Sequence, residues 1–183
     1  MGDSLVKRAG VYAATAKQDQ LGQTRYNIVW SGSSGMRWCN LLHTLQFLML
    51  SHGHPKAIIL HLGGNDIHSI VQKELMQAMH DDLDYIFSVF TESVFVWCDI
   101  LPRLAWRNNN HSSPKTLNIK RKRINRAARK IFMSCRSGLI ISPPIQWHMP
   151  ELFLEDGVHL SEFGNLIYLQ TLRNLLASLV CNN

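Results

Sequence analysis

Four short segments of the sequence contain residue types that could together carry out acyl transfer. They are 2–5 (GDSL), 31–35 (SGSSG), 63–66 (GGND) and 156–159 (DGVH). An acyl-transfer site needs a nucleophile, a base, a group that orients the base, and donors for the developing oxyanion. The four segments supply a serine, a histidine, an aspartate, an asparagine amide and several glycines. The hypothesis is a site assembled from distant parts of the chain.

Each catalytic role has a leading candidate. Ser4 would be the nucleophile, exposed in a turn that Gly2 shapes. His159 would take its proton. Asp156 lies three residues earlier, so it can fold back, accept the other imidazole N–H and fix the tautomer.

The candidate oxyanion hole combines one side chain with two backbone groups. The amide of Asn65 offers a neutral N–H donor, and the backbone N–H groups of Ser4 and Gly35 would complete the hole. We prefer Gly35 to Gly32 because it directly precedes a predicted helix. A glycine there lets the substrate carbonyl approach closely.

Each candidate also has an ordinary structural interpretation. Ser4 could simply cap a helix, and the Asn65-Asp66 pair could form a turn, with Asp66 supporting the loop. His159 could pack beside the last helix, with Asp156 as a turn carboxylate. Only the combination of all four segments favours chemistry.

Other candidates fit the sequence less well. Ser33 and Ser34 are competing nucleophiles, but the GxSxG motif that would support them is absent. Trp106 and Trp147 could flank the cleft as an acyl-binding wall or be core aromatics. The spacing of four histidines matches no metal-binding motif, so no metal site is predicted; they are His52, His54, His61 and His68.

Composition limits the class of protein. The chain has 183 residues, 46% of them hydrophobic and 17% charged, which predicts one folded domain over 1–183 and excludes a disordered chain. We find no membrane span or signal peptide and expect a cytoplasmic protein, with a nuclear location left open. The four cysteines show no CxxC spacing, so reduced, mostly buried thiols are expected.

Apolar runs alternate with helical patterns along the chain. Predicted strands are 26–30, 57–62, 94–100 and 139–142, and predicted helices are 36–50, 70–90, 115–130 and a last helix capped by Ser161. This order indicates a parallel sheet between helices. Ligands bind beyond the carboxyl ends of such strands, and segments 31–35 and 63–66 follow two of the predicted strands.

The four segments, in this order and across almost the whole chain, resemble the SGNH (GDSL-type) hydrolase superfamily. The resemblance implies a three-layer α/β/α sandwich with a flavodoxin-like parallel sheet, and carboxylic ester hydrolysis without a cofactor or metal. The basic run before the last strand, with DGVHLS and the following EFGN, looks like the esterase domain of fish LINE-type retrotransposon open reading frame 1 proteins. That narrower resemblance implies small acyl, acetyl-type esters as substrates.

The beginning of the chain departs from the superfamily pattern. A strand normally precedes the GDS serine, whereas here only Met1 precedes Gly2. We therefore expect a truncated first strand, unpaired backbone groups on its neighbours and a nucleophile turn without its anchor. Poor stability and impaired activity would follow.

Positive charge is concentrated in one part of the chain. Eleven Lys or Arg and no Asp or Glu lie between Ile100 and Pro150. The predicted helix 115–130 is either a solvated face or a patch that binds nucleic acid without sequence specificity, through Lys120, Arg121, Lys122, Arg123, Arg126, Arg129 and Lys130. Two alternatives to the esterase hypothesis therefore remain. In the first, the protein is a weak or inactive remnant of the fold that binds nucleic acid. In the second, it is an interaction module that uses exposed sheet edges.

Overall fold

The computed structural model describes residues 1–106 and 112–181, and within them a parallel sheet lies between two layers of helices. Its helices are α1 (Ser4–Thr15), α2 (Leu41–His52), α3 (Gln72–Val89), α4 (Pro114–Ser134) and α5 (Glu162–Cys181). Its strands are β1 (Ala57–Leu60), β2 (Val94–Cys98) and β3 (Gly138–Ile141). Short 3-10 turns cover Trp38–Asn40 and Pro150–Leu152. The polar composition of residues 107–114 is typical of a loop; of these, 107–111 lie outside the described residues and Pro114 already begins α4.

The three strands are parallel and lie in the order β1-β2-β3. Ile58 is paired with Phe95, and Val96 with Leu139. Parallel neighbours need a crossover connection, and α3 and α4 provide the two that join these strands. The predicted class, a parallel sheet flanked by helices, is confirmed.

Each face of the sheet has its own hydrophobic core. One core joins Ile58 and Leu60 of β1 to buried side chains of α2, α3 and α4, including Leu75 and Ile124. The other joins Cys98 of β2 to α1 and α5. The helix that carries Ser4 and the helix that follows His159 therefore pack on the same face.

The prediction of a strand at 26–30 is wrong. Those residues run irregularly, and only Gly32 beyond them forms a parallel bridge, with Gly2. Gly2 also bridges His61 just past β1, so it lies between the two segments. The N–H of Ile28 donates to the side chain of Gln20 rather than to a neighbouring strand, so the strand-like composition of this run does not form a strand here.

The expectation that the nucleophile turn lacks an anchor is also wrong. The N–H of Gly2 donates to the Ser31 carbonyl and its carbonyl accepts from Ser33, at 2.9 and 3.1 Å. On the other side, the N–H of His61 donates to the Met1 carbonyl at 3.0 Å. A Cβ at Gly2 would collide with the His61 carbonyl oxygen, so this close pairing requires glycine. Poor stability and impaired activity stay predictions.

Helix α1 does not appear among the predicted elements. Asp3 caps it by accepting from the N–H of Leu5 at 2.9 Å, so Asp3, and not Ser4, is the N-cap. Leu5, Ala9 and Ala13 form its buried face at helical spacing. Ser4 is the first helical residue.

The other predicted helices exist, with shifted ends. In α5, the spacing of Phe163 and Leu166 fits the apolar face of the helix, but both are exposed, at 58% and 44%. Among the described side chains Cys39, Cys98 and Cys135 are free thiols. The expectation that they are mostly buried is wrong, because of these three only Cys98 is buried and Cys39 is exposed. No helix of the described part of the chain is long and apolar enough to cross a membrane.

Candidate active site

The side chains of Ser4, His159 and Asp156 form one hydrogen-bonded chain. Nε2 of His159 lies 2.9 Å from Oγ of Ser4, and Nδ1 lies 2.6 Å from Oδ2 of Asp156. A carboxylate can only accept, so Nδ1–H donates to Asp156. Nε2 then carries the lone pair and accepts a hydrogen bond from the hydroxyl of Ser4.

Asp156 remains ionised to low pH. Burial alone raises its pKa, but the hydrogen bond from the His159 ring and those from the backbone N–H groups of His159 and Val158 outweigh it and lower the pKa to about 2. Both backbone bonds go to Oδ1, at 2.9 Å. One oxygen therefore shapes the turn and the other orients the imidazole.

The loop that carries this pair is fixed at both ends. The N–H of Leu154 donates to the His159 carbonyl at 2.8 Å, and Phe153 and Leu160 form an antiparallel bridge. The hydroxyl of Ser161 accepts from Gly164 in the first turn of α5, as expected of a cap. The capped helix directly follows the histidine loop.

A hydrogen bond joins the two loops that carry Gly35 and Asn65, two of the three predicted oxyanion residues. Nδ2 of Asn65 donates to the carbonyl of Met36 at 3.1 Å, which places the amide beside the residue that follows Gly35. Ser4 is the first residue of α1, where a backbone N–H has no acceptor within the helix. Such N–H groups at a helix N-terminus favour negative charge.

The two glycines of segment 31–35 have different surroundings. A Cβ at Gly32 would collide with the backbone of Lys7 in α1, so Gly32 serves close packing. Gly35 has φ +74° and open space where a Cβ would be. Glycine is therefore favoured there by the backbone conformation and not by a lack of space. The preference for Gly35 over Gly32 as an oxyanion donor stays a prediction.

Asp66 supports the loop after β1, as the sequence suggested. Its Oδ2 accepts from the N–H of Trp38 at 3.0 Å, and its backbone carbonyl accepts from Ser69 and Ile70. Burial raises the pKa of its carboxyl to about 6, against the opposing effect of the Trp38 hydrogen bond. The adjacent Asn65 is therefore held on a tightly bonded turn.

His61 lies beneath the nucleophile turn rather than at a metal site. Its Nδ1 lies 3.2 Å from the hydroxyl of Tyr168 and 3.3 Å from Sγ of Cys98. Burial lowers the pKa of His61 to about 4, so the ring is neutral at physiological pH. Among the described residues, no group of three or more His, Cys, Asp or Glu side chains could hold a metal ion.

The two tryptophans differ in burial. Trp106 is buried and lies under the guanidinium of Arg103. Trp147 is 65% exposed and contacts His148 edge to face. Trp106 is thus a core aromatic, and an acyl-binding role of either ring stays a prediction.

Sequence reasoning missed Arg103. Its Nη2 donates to Oδ1 of Asn65 at 3.2 Å and lies 3.7 Å from Oδ2 of Asp3. The signal available was its place soon after the predicted strand 94–100, at the edge of the sheet where ligands bind.

Part of the basic helix is engaged within the protein itself. Lys120 donates to the carbonyl of Ile70, Arg121 to that of Ile100, and Arg129 to Asp99 and Ser142. Four other predicted nucleic-acid contacts are exposed on α4: Lys122, Arg123, Arg126 and Lys130. These observations favour the interpretation of α4 as a helix with a solvated outer face, whose Lys120, Arg121 and Arg129 bond to the rest of the protein.

Solved structures share this fold. A GDSL-like lipase from Bacteroides thetaiotaomicron is 14% identical, with a TM-score of 0.69 over 97% of this chain and 86% of that one. The psychrotrophic esterase EstA from Pseudoalteromonas sp., inhibited by monoethylphosphonate, is 14% identical, with a TM-score of 0.70 over 100% and 97%. The lipase/acylhydrolase from Enterococcus faecalis is 15% identical, with a TM-score of 0.67 over 96% and 92%. These similarities establish the fold.

No family model matches the sequence, and no curated protein matches it either.

Proposed function

We propose that the protein is a serine esterase that hydrolyses small acyl esters of the acetyl type. The observation that carries the proposal is the position of His159, whose two ring nitrogens contact Ser4 and Asp156 at 2.9 and 2.6 Å. A hydroxyl, an imidazole and a carboxylate in this order form the arrangement that activates serine for acyl transfer. Ser4, His159 and Asp156 are the proposed catalytic residues.

In the acylation step, Oγ of Ser4 forms a bond to the ester carbonyl carbon as Nε2 of His159 takes the hydroxyl proton. The carbonyl oxygen becomes an oxyanion, which the backbone N–H groups of Ser4 and Gly35 and the amide of Asn65 would stabilise. The intermediate then breaks its bond to the alkoxy oxygen. His159 gives its proton to that oxygen, and the alcohol leaves.

Deacylation repeats the sequence with water. Nε2 of His159 takes a proton from water as the water oxygen attacks the acyl carbon. When the intermediate collapses, the bond to Oγ breaks and His159 returns the proton to Ser4. The ionised Asp156 stabilises the imidazolium in both steps.

The similar structures support the class of reaction. The proteins named above are described as a lipase, an esterase and a lipase/acylhydrolase. The preference for small acetyl-type esters comes from the narrower sequence resemblance to retrotransposon-encoded esterases, and a relationship to those elements stays a prediction.

Hydrolysis of p-nitrophenyl acetate tests the proposal. Wild type should release p-nitrophenol, and Ser4→Ala should reduce the rate to near that of the uncatalysed reaction. Ser34→Ala is the control, because it removes one of the two competing hydroxyls, those of Ser33 and Ser34. Equal rates for wild type and Ser4→Ala would exclude Ser4 as the nucleophile.

A phosphonate probe gives a second readout. An activated ethyl phosphonate ester should react at Oγ of Ser4, expelling its leaving group and adding a fixed mass to the protein. Intact-mass measurement should find the adduct in wild type and Ser34→Ala but not in Ser4→Ala. An adduct at another serine would contradict the assignment.

A further inference from the structure

Arg103 lies where three parts of the proposed site meet. Its guanidinium contacts Asn65 at 3.2 Å and lies 3.7 Å from Asp3, the residue before Ser4. Its side chain is only 5% exposed, and the guanidinium carbon lies 5.1 Å from the centre of the Trp106 ring. These contacts fix the guanidinium in the loop that follows β2.

The contacts of Asn65 define the orientation of its amide. Arginine only donates, so the amide atom that faces Arg103 is Oδ1. The carbonyl of Met36 only accepts, so the atom 3.1 Å from it is Nδ2. One N–H of the amide goes to Met36, and the second is the one that would donate to an oxyanion.

We propose that Arg103 is a positioning residue of the esterase site, acting through Asn65. By donating to Oδ1 it prevents the amide from rotating and presenting its oxygen to the oxyanion. It also draws electron density from the amide, which makes the second N–H a stronger donor. This inference rests on the proposed function.

The backbone beside Arg103 holds the histidine loop. The N–H groups of Leu104 and Ala105 donate to the carbonyl of Gly157, at 2.7 and 3.1 Å. Gly157 follows the catalytic Asp156. The segment 103–105 therefore links the oxyanion asparagine to the loop that carries the base.

A merely structural role makes a different prediction. Arg103 lies close to the buried carboxylate of Asp3, and losing this charge pair would disturb the turn of Ser4 whether or not Asn65 is present. A positioning role requires Asn65. The two roles therefore separate when Arg103 is changed in an Asn65→Ala background.

The experiment measures kcat and KM for p-nitrophenyl acetate in wild type, Arg103→Lys, Asn65→Ala and the double variant. Lysine keeps a positive charge near Asp3 but lacks the planar guanidinium with its several N–H donors. We expect kcat to fall about tenfold to a hundredfold in Arg103→Lys, with KM nearly unchanged. This loss is part of the ~10²–10³-fold fall in kcat that removal of a whole oxyanion donor causes. In the Asn65→Ala background the same change should alter kcat by less than about threefold. Arg126→Lys, exposed on α4, is the matched control.

An NMR measurement tests the inference without activity. The side-chain N–H signals of Asn65, assigned by their loss in Asn65→Ala, should shift in Arg103→Lys and not in Arg126→Lys. If Arg103→Lys does not fold, Arg103→Gln takes its place in both measurements.

Two results would overturn the inference: an equal loss of kcat in both backgrounds, or unchanged Asn65 signals. If activity did not depend on Ser4, the proposed function would fail, and the NMR result alone would decide whether Arg103 positions Asn65.

Discussion

His159 and Ser4 are 155 residues apart in the sequence, yet Nε2 of one lies 2.9 Å from Oγ of the other. Two pieces of local structure bring them together. Asp3 caps α1 and places Ser4 in its first turn, and the loop that carries His159 is followed at once by α5. Because α1 and α5 share one hydrophobic core, tertiary packing sets this distance.

Removing the base or its partner should abolish most of the activity. We expect His159→Ala to reduce kcat at least as strongly as Asp156→Asn, which should cost about 10³–10⁴-fold because an amide no longer fixes the tautomer. Initial rates with p-nitrophenyl acetate measure both. His80→Ala and Asp81→Asn, exposed on α3, are the controls. A kcat near that of wild type in Asp156→Asn would contradict the triad.

Asn65→Ala should lower kcat by about 10²–10³-fold while KM changes little, because the amide acts mainly on the oxyanion. Kinetics over a range of ester concentrations separate the two constants. Asn174→Ala removes an amide from the exposed side of α5 and should leave both unchanged. A rise in KM with constant kcat would assign Asn65 to substrate binding instead.

Asp66 should make the protein more stable as the pH falls from about 6 to about 4. Burial raises its pKa from 3.8 to about 6, so in this window the folded protein binds a proton that the unfolded chain does not. The free energy of unfolding therefore rises as the pH falls, by about 2 kcal/mol from this group.

Urea unfolding of wild type and Asp66→Asn at pH 7 and pH 4.5 measures this contribution. Between pH 7 and pH 4.5 the free energy of unfolding should rise less, or fall more, in Asp66→Asn than in wild type, because asparagine has no carboxyl to titrate. Asp84→Asn, at an exposed carboxyl of α3, should behave like wild type. Identical pH dependence in Asp66→Asn and wild type would refute the assignment.

Gly2→Ala should reduce both stability and activity. The added Cβ would collide with the His61 carbonyl oxygen, at a cost of about 1–3 kcal/mol. The resulting shift of the Ser4 turn by about 1 Å would lower kcat by about a hundredfold. Thermal melting and ester kinetics measure the two effects.

Gly22→Ala is the matched control for this change. Gly22 has φ +75° and nothing within 4 Å of an added Cβ, so alanine there adds only backbone strain of about 1 kcal/mol. Activity should be retained. A fully active Gly2→Ala would show that close pairing at Gly2 does not position Ser4.

The sequence predicts elements that have their own regular pattern. Helix α3 was predicted at nearly its observed length because Leu75, Met79, Leu83 and Ile86 repeat at steps of three and four and all are buried. The strands β1, β2 and β3 were found from apolar runs. The incorrect predictions concern segments whose structure depends on contacts with other segments of the chain. The run 26–30 has strand-like composition, but a strand forms only where a partner extends beside it.

The candidate site shows the same division. Ser4, Asn65, Asp156 and His159 could be named from short motifs, because each motif is local. Arg103 has no motif around it, and its importance arises from contacts with Asp3 and Asn65, which are distant in sequence. Helix α1 is not predicted although Leu5, Ala9 and Ala13 have helical spacing, because the short segment 2–5 has the composition of a turn.

The shared core of α1 and α5 also bears on when a newly made chain could become active. Ser4 is translated 155 residues before His159. Until the loop of His159 and helix α5 have been made and α5 covers α1, Ser4 has no imidazole beside it. Any hydrolysis that depends on this pair would therefore begin only after α5 has been translated.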